Sequence, residues 1–240
     1  MKSTNKTNKT KHALCGLLSA LLLLAAGTHT LQADVLTPAG LNPGDEFRIM
    51  FVTSGTHDAV SSDISVYDSF VTSAAIAGGL TTYGGNSVNW QVFGGTPTSG
   101  TGLSRFPLSS PAFYRLDGAV IATSGSDLWD GFIANPINRT ETGAIIGSPT
   151  SVWTGINNSD GTAFPSRALG GTDPNGTADA TNLYNLAFQG QWMTGGLENR
   201  NTLRHFYAVS QVLTVPEPTS AALLLGSGAM LLLRRRRTAV

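Results

Sequence analysis

The C-terminal stretch limits most strongly what this chain can fold into. Residues Thr219 to Leu233 are apolar all round, fenced by Val215-Pro216-Glu217-Pro218 before them and Arg234-Arg235-Arg236-Arg237 after. The two prolines fix φ and push their predecessors toward extended backbone, so no helix runs through them. A helix with no polar face belongs in lipid or in a deep core. At 1.5 Å per residue this one reaches about 22 Å, short of a hydrocarbon layer of about 30 Å. Such a mismatch suits a transient anchor, with the four arginines at the cytoplasmic headgroups. The competing assignment, a buried helix of the globular part, would need a solvent exit for four adjacent arginines beside the core.

The other end is removed from the foldable part as well. Lys2, Lys6, Lys9 and Lys11 precede an apolar run from Ala13 to Ala26, followed by small residues to Ala33. That order reads as a secretory signal peptide cut between Ala33 and Asp34. An uncleaved membrane helix fits less well, because about 14 residues fall short of the roughly 20 that span a bilayer. The single cysteine, Cys15, lies inside this run, without the small residues that precede a lipid-anchored cysteine. The chain thus divides into a signal peptide, 1–33, an exported domain, 34–214, and a C-terminal tail, 215–240.

Subtracting the ends changes the charge. The chain is formally neutral, yet all four lysines and four of the arginines lie outside the exported part. What remains is seven arginines against fourteen carboxylates. An acidic surface argues against nucleic acid and anionic lipid as partners of the domain. No cysteine remains to form a disulfide, so burial alone holds the fold, and about 180 residues suffice for that.

The domain reads as α+β: a short-stranded antiparallel sheet, one main helix and long loops. Glu46 to Thr53 is β-branched and aromatic, a buried strand. Val66, Phe70, Ala74 and Ala77 recur at helical spacing between a cap at Ser62 or Asp63 and Gly78-Gly79. Val88 to Phe93 is a second strand. Phe113 to Ala122 is a hairpin turning on Asp117-Gly118 as a two-residue loop. Trp129 and Phe132 anchor Asp127 to Ile133. Ser151 to Thr154, Gln191 to Met193 and Arg204 to Leu213 supply further strands, and Leu169 to Thr181 is a long loop.

Little catalytic chemistry is present. The exported part holds no His-Glu-x-x-His, Cys-x-x-Cys, Walker loop, Gly-x-Ser-x-Gly or Gly-x-Gly-x-x-Gly. Its two histidines are His57 and His205. His57 with Asp58 and Ser54 offers the residue types of a triad, but near neighbours in a loop rarely face one another. No enzyme is expected, and a secreted hydrolase is the least supported class. No cofactor is expected, calcium being the one candidate. Asn157, Asn158, Asp160, Asp173 and Asp179 bring hard oxygens onto flexible loops, where the same residues equally make plain turns. Trp90, Trp129, Trp153 and Trp192 could stack on sugars or pack the core, and their apolar contexts favour packing.

The C-terminal trio, in its order and position, resembles the PEP-CTERM sorting signal of Gram-negative bacteria. The resemblance implies an exosortase, a membrane-embedded processing peptidase, as partner. It also implies a single-pass inner-membrane intermediate and a final place in the cell envelope or the extracellular polysaccharide matrix. A second resemblance runs along the domain. Phe47-Arg48-Ile49-Met50-Phe51-Val52-Thr53-Ser54 is followed by an Ala-rich helix, Tyr114-Arg115-Leu116-Asp117-Gly118, Asp127-Leu128-Trp129-Asp130-Gly131, Glu141 with Gly143, and Val152-Trp153-Thr154-Gly155-Ile156. Trp192 and a last strand from His205 to Leu213 close the series. This order is similar to bacterial surface domains of the C-type lectin and endostatin type. It implies that first and last strands pair, with the C-terminal anchor opposite the long loops. The disulfides and sugar-binding tripeptides of animal C-type lectins are absent, so sugar binding does not transfer with the fold. The expected role is structural or adhesive, with a glycan-binding, calcium-assisted module as the alternative.

Overall fold

The computed structural model describes residues 35–99, 102–147, 151–156, 166–179, 192–193 and 196–217. The signal peptide and its Ala33/Asp34 junction, Asn157, Asn158, Asp160, Pro218, the apolar run 219–233 and Arg234–Arg237 lie outside them. All described elements belong to one unit, Ala33–Val240.

The class is α+β. Eleven strands and three helices are formed among the described residues. The strands are β1 (Glu46–Val52), β2 (Thr82–Tyr83), β3 (Asn86–Ser87), β4 (Trp90–Val92), β5 (Ala112–Arg115), β6 (Val120–Ala122), β7 (Val152–Trp153), β8 (Asn175–Asp179), β9 (Gly196–Asn199), β10 (His205–Ser210) and β11 (Leu213–Thr214). The helices are α1 (Ile64–Ala77), α2 (Gly102–Arg105) and α3 (Gly125–Leu128). The main sheet runs β6-β5-β1-β10-β7-β8-β9, with β11 also on β1 and β4 also on β10; β2 and β3 form a separate hairpin. It is mixed rather than antiparallel throughout, since β1/β5 and β10/β7 run parallel.

At its centre the first strand pairs with the last. Met50 faces Val209, whereas Phe47 faces Leu213, so one extra residue is accommodated between β10 and β11. Ser210 fills the irregularity: its hydroxyl accepts the Ile49 N–H at 2.9 Å and its carbonyl accepts Arg48 Nη1 at 2.8 Å. This is the work of a β-bulge, which bends a strand while its orphaned groups find side-chain partners.

β1 and β10 are buried on both faces, which explains why β1 reads as a continuous apolar run rather than an alternation. Phe47, Ile49, Phe51, Phe206 and Ala208 pack on one side with Tyr67, Val71 and Ala75 of α1. Met50, Val52, Tyr207 and Val209 pack on the other with Phe93, Phe106, Trp129 and Trp192. The helix spans the expected residues, capped by the Asp63 carboxylate on the Ser65 N–H and ended at Gly78. Its buried stripe is Tyr67, Val71 and Ala75, about one residue away from the expected one, and Ala77 is exposed. Tyrosine decides the rotation. Its ring stacks on Phe206 at 5.2 Å while its hydroxyl donates to the Ser61 carbonyl at 2.8 Å, so both halves of the side chain are satisfied inside.

The hairpin forms where expected, but its loop has three residues. Arg115 and Ala119 pair through the Arg115 N–H, the Gly118 N–H bonds back to the Arg115 carbonyl, and Gly118 carries a positive φ of +83°. This is a turn followed by a bulge glycine, the usual three-residue solution. Other expectations fail. Gln191–Met193 is no strand at the two described positions, Trp192 and Met193, and Phe132 is 52% exposed rather than an anchor. The stretch 169–181 holds β8, which pairs with β7 and β9.

Candidate functional site

Two places gather the polar groups singled out in the sequence, and the first is where the chain leaves the domain. β11 pairs Thr214 with Glu46. Val215 extends that pairing: its N–H donates to the Asp45 carbonyl at 2.9 Å and its carbonyl accepts the Gly44 N–H at 3.0 Å. Its side chain and that of Leu213 join the core cluster beneath α1. Burying these two side chains is worth about 1.5–3 kcal/mol each. Pro216 follows against the β2–β3 turn. A Cβ on Gly84, whose φ is +56°, would come within 2.7 Å of the Pro216 ring, so only glycine admits the proline there. Pro216 and Glu217 are exposed. Beside them runs a groove of about 420 Å³ lined by Tyr83, Gly84, Asn86, Ser87, Gln211 and residues 212–217. The four-residue marker is therefore divided: Val215 belongs to the folded domain, and Pro216 and Glu217 stand at its rim.

The second place is a cleft of about 250 Å³ between Gly171–Pro174 and Asn199–Asn201, with Val60 on its edge. Arg200 forms its floor. Although Arg200 is 5% exposed, its guanidinium has no carboxylate in hydrogen-bond contact among the described residues: Nε and Nη2 donate to the Ala168 carbonyl at 3.2 and 2.9 Å, and Nη2 to that of Ser166 at 2.7 Å. Burial lowers its pKa, with Asp173 acting in the opposite sense. Asp173 uses one oxygen to accept the Asn175 N–H at 3.0 Å, and the other lies 3.9 Å from Arg167 Nε. Of the five residues that are candidates for calcium, Asp173 is thus held as a turn-former. The Asp179 backbone lies in β8 opposite Val152. Among the described residues no group of three His, Cys, Asp or Glu could hold a metal ion.

The serine, histidine and aspartate of the loop after β1 are not assembled as a triad. Both Ser54 donors turn to Glu141, the N–H at 2.8 Å from Oε2 and the hydroxyl in close contact with Oε1. His57 Nδ1 lies 2.8 Å from the Asp58 carbonyl oxygen, and its ring packs on Tyr67, Phe70 and Phe206. His205 Nδ1 sits 2.7 Å from the Thr53 carbonyl oxygen. All four tryptophans are buried, and three indole N–H groups reach backbone carbonyls: Trp90 to Leu80, Trp129 to Phe106, Trp153 to Thr202. They pack the core and present no face to a sugar.

Sequence reasoning placed Glu141 and Asp117 only within motifs and missed their partners. Glu141 is 6% exposed and fastens its loop to the end of β1. Asp117 takes Arg115 Nε and Nη2 at 2.7 Å and Arg139 Nε at 3.1 Å. An acidic residue two places from an arginine in a tight turn was the available signal for the second; Glu141, whose partner lies far along the chain, offered none.

No protein-family model matches this chain, and no curated protein matches it. Among the described residues no helix is long and apolar enough to cross a membrane.

Proposed function

We propose that this is an exported surface or matrix protein of structural or adhesive role, with no catalytic one. Residues 1–33 carry it out. The apolar run 219–233 then holds it briefly in the inner membrane, and an exosortase-type peptidase frees it near Pro216-Glu217-Pro218 to the envelope or the extracellular polysaccharide. The observation that carries this reading is the C-terminal order of marker, apolar run and arginine block, following directly on β11. Its support in the fold is the exposure of Pro216 and Glu217 at the rim, since a processing enzyme needs chain that is not locked in a sheet. The antiparallel pairing of β1 with β10 and β11 supports ranking the domain with lectin-like surface domains. Glu217→Gln is expected to leave the precursor at full mass in the inner membrane; unchanged processing of that variant rejects the role given to the marker.

One observation favours a second reading, a glycan-binding module. The cleft over Arg200 offers Asp173 before β8 with Asn199 and Asn201 at the end of β9, the polar furniture that sugar hydroxyls use. A glycan array probed with the purified protein, with and without chelator, separates this from a purely structural role: retention on a defined glycan supports it, and none across the array removes it.

A further inference from the structure

We infer that the domain itself fixes where the precursor can be cut: the seat of Leu213–Val215 withholds that segment from the processing peptidase. The bond broken then lies C-terminal to Pro216, and the released protein keeps Val215. This rests on the sorting role proposed above and adds to it the position of the cut and its physical cause.

A peptidase binds its substrate extended, pairing with main-chain groups much as an added strand does. Both main-chain polar groups of Val215 are already taken, by Asp45 and Gly44, and its side chain is buried. Thr214 is paired with Glu46, so no slack residue separates the sheet from the marker. To offer Val215, the end of β11 must peel away, withdrawing two core side chains and breaking those bonds. A locally open form of that kind is populated at about one molecule in a hundred or fewer. Pro216 lies outside the ladder, against Gly84, and both it and Glu217 are exposed. Three residues separate Val215 from the apolar run and span at most about 10 Å, so the enzyme must work against the β2–β3 rim. In the cut, the carbonyl carbon of the severed residue passes to water or to an acceptor amine, and the tail leaves as a free amine.

The test is the C-terminus of the released form, read by mass spectrometry from the full-length chain made in a host with the processing enzyme. The released chain should end at Pro216 or later. Val215→Lys, which cannot keep its apolar seat, should add ends upstream. Should that variant fail to fold, Gly84→Asn unseats Pro216 alone, since asparagine tolerates positive φ. It should speed processing while leaving the cut downstream of Val215. A second measurement needs no processing enzyme. Brief treatment of the purified full chain in detergent with a non-specific protease should cut after Pro216 about 100-fold faster than between Leu213 and Pro216. A wild-type product ending at Val215 or earlier, or equal protease cutting on both sides, overturns the inference. A chain that keeps Val240 overturns the sorting role instead, and the protease ratio then decides the seat by itself.

Discussion

Replacing Asp117 with Asn should remove a pH-dependent share of the stability. The carboxylate is held at about 2 against an ordinary 3.8, chiefly by hydrogen bonds from Arg115, with Arg139 contributing. At 1.36 kcal/mol per pH unit the difference would be about 2.4 kcal/mol for a fully shielded group. Asp117 is 34% exposed, so water and salt screen it, and about 1 kcal/mol is the reasonable expectation. The folded-state value lies below the unfolded one. Its contribution is therefore present in full above about pH 4 and lost as pH falls toward 2. Urea unfolding of wild type and Asp117→Asn should differ by about 1 kcal/mol at pH 7 and converge by pH 2, with the gap at pH 7 narrowed by added salt. A difference of the same size at both pH values would show that the aspartate acts through the shape of the turn, and would refute the electrostatic account.

Other consequences can be measured on the same protein. Gly170→Ala should cost about 3 kcal/mol or more. Gly170 has φ +65° and a Cβ there would lie 2.1 Å from the Ser61 carbonyl oxygen; chemical denaturation with an unaltered midpoint would contradict that packing. Glu141→Ala takes the acceptor away from both donors of Ser54, which is itself exposed and can turn to water, and should lower stability by about 1–2 kcal/mol. Glu141→Gln, which keeps an acceptor, should recover part of that in a thermal melt, and equal losses would refute the hydrogen-bond account. Trp153→Ala should cost about 3–5 kcal/mol without changing glycan retention, because the ring lies wholly inside; loss of retention in a folded variant would reassign it to a ligand.

What the sequence disclosed tracks how local its cause is. β1 needed only a dense apolar run, and α1 only a cap at Asp63 and a stop at Gly78, so both were legible to within a residue or two. The phase of α1 was not, because whether Tyr67 is buried depends on Phe206 and the Ser61 carbonyl, partners from elsewhere in the chain. β8, Asn-Gly-Thr-Ala-Asp, has turn formers at three of its five positions and is a strand because β7 and β9 flank it. Trp192 and Met193 show the converse, since an apolar pair is needed to fill the core beside Phe93 and needs no strand to do so. The mixed sheet escaped notice for the same reason: parallel pairs such as β1/β5 join residues with no local signature. At the candidate sites, residue types pointed to the marker, while the division between a seated Val215 and an exposed Glu217 depends on Gly44 and Gly84, far upstream.

The proposed sorting route removes both ends of the chain on its way out of the cytosol. The direct measurement is the intact mass and subcellular fraction of the protein isolated from its native host. That route yields an envelope or extracellular form that begins at Asp34 and lacks the apolar run and arginines 234–237. A cytoplasmic form still carrying both Met1 and Val240 would contradict it.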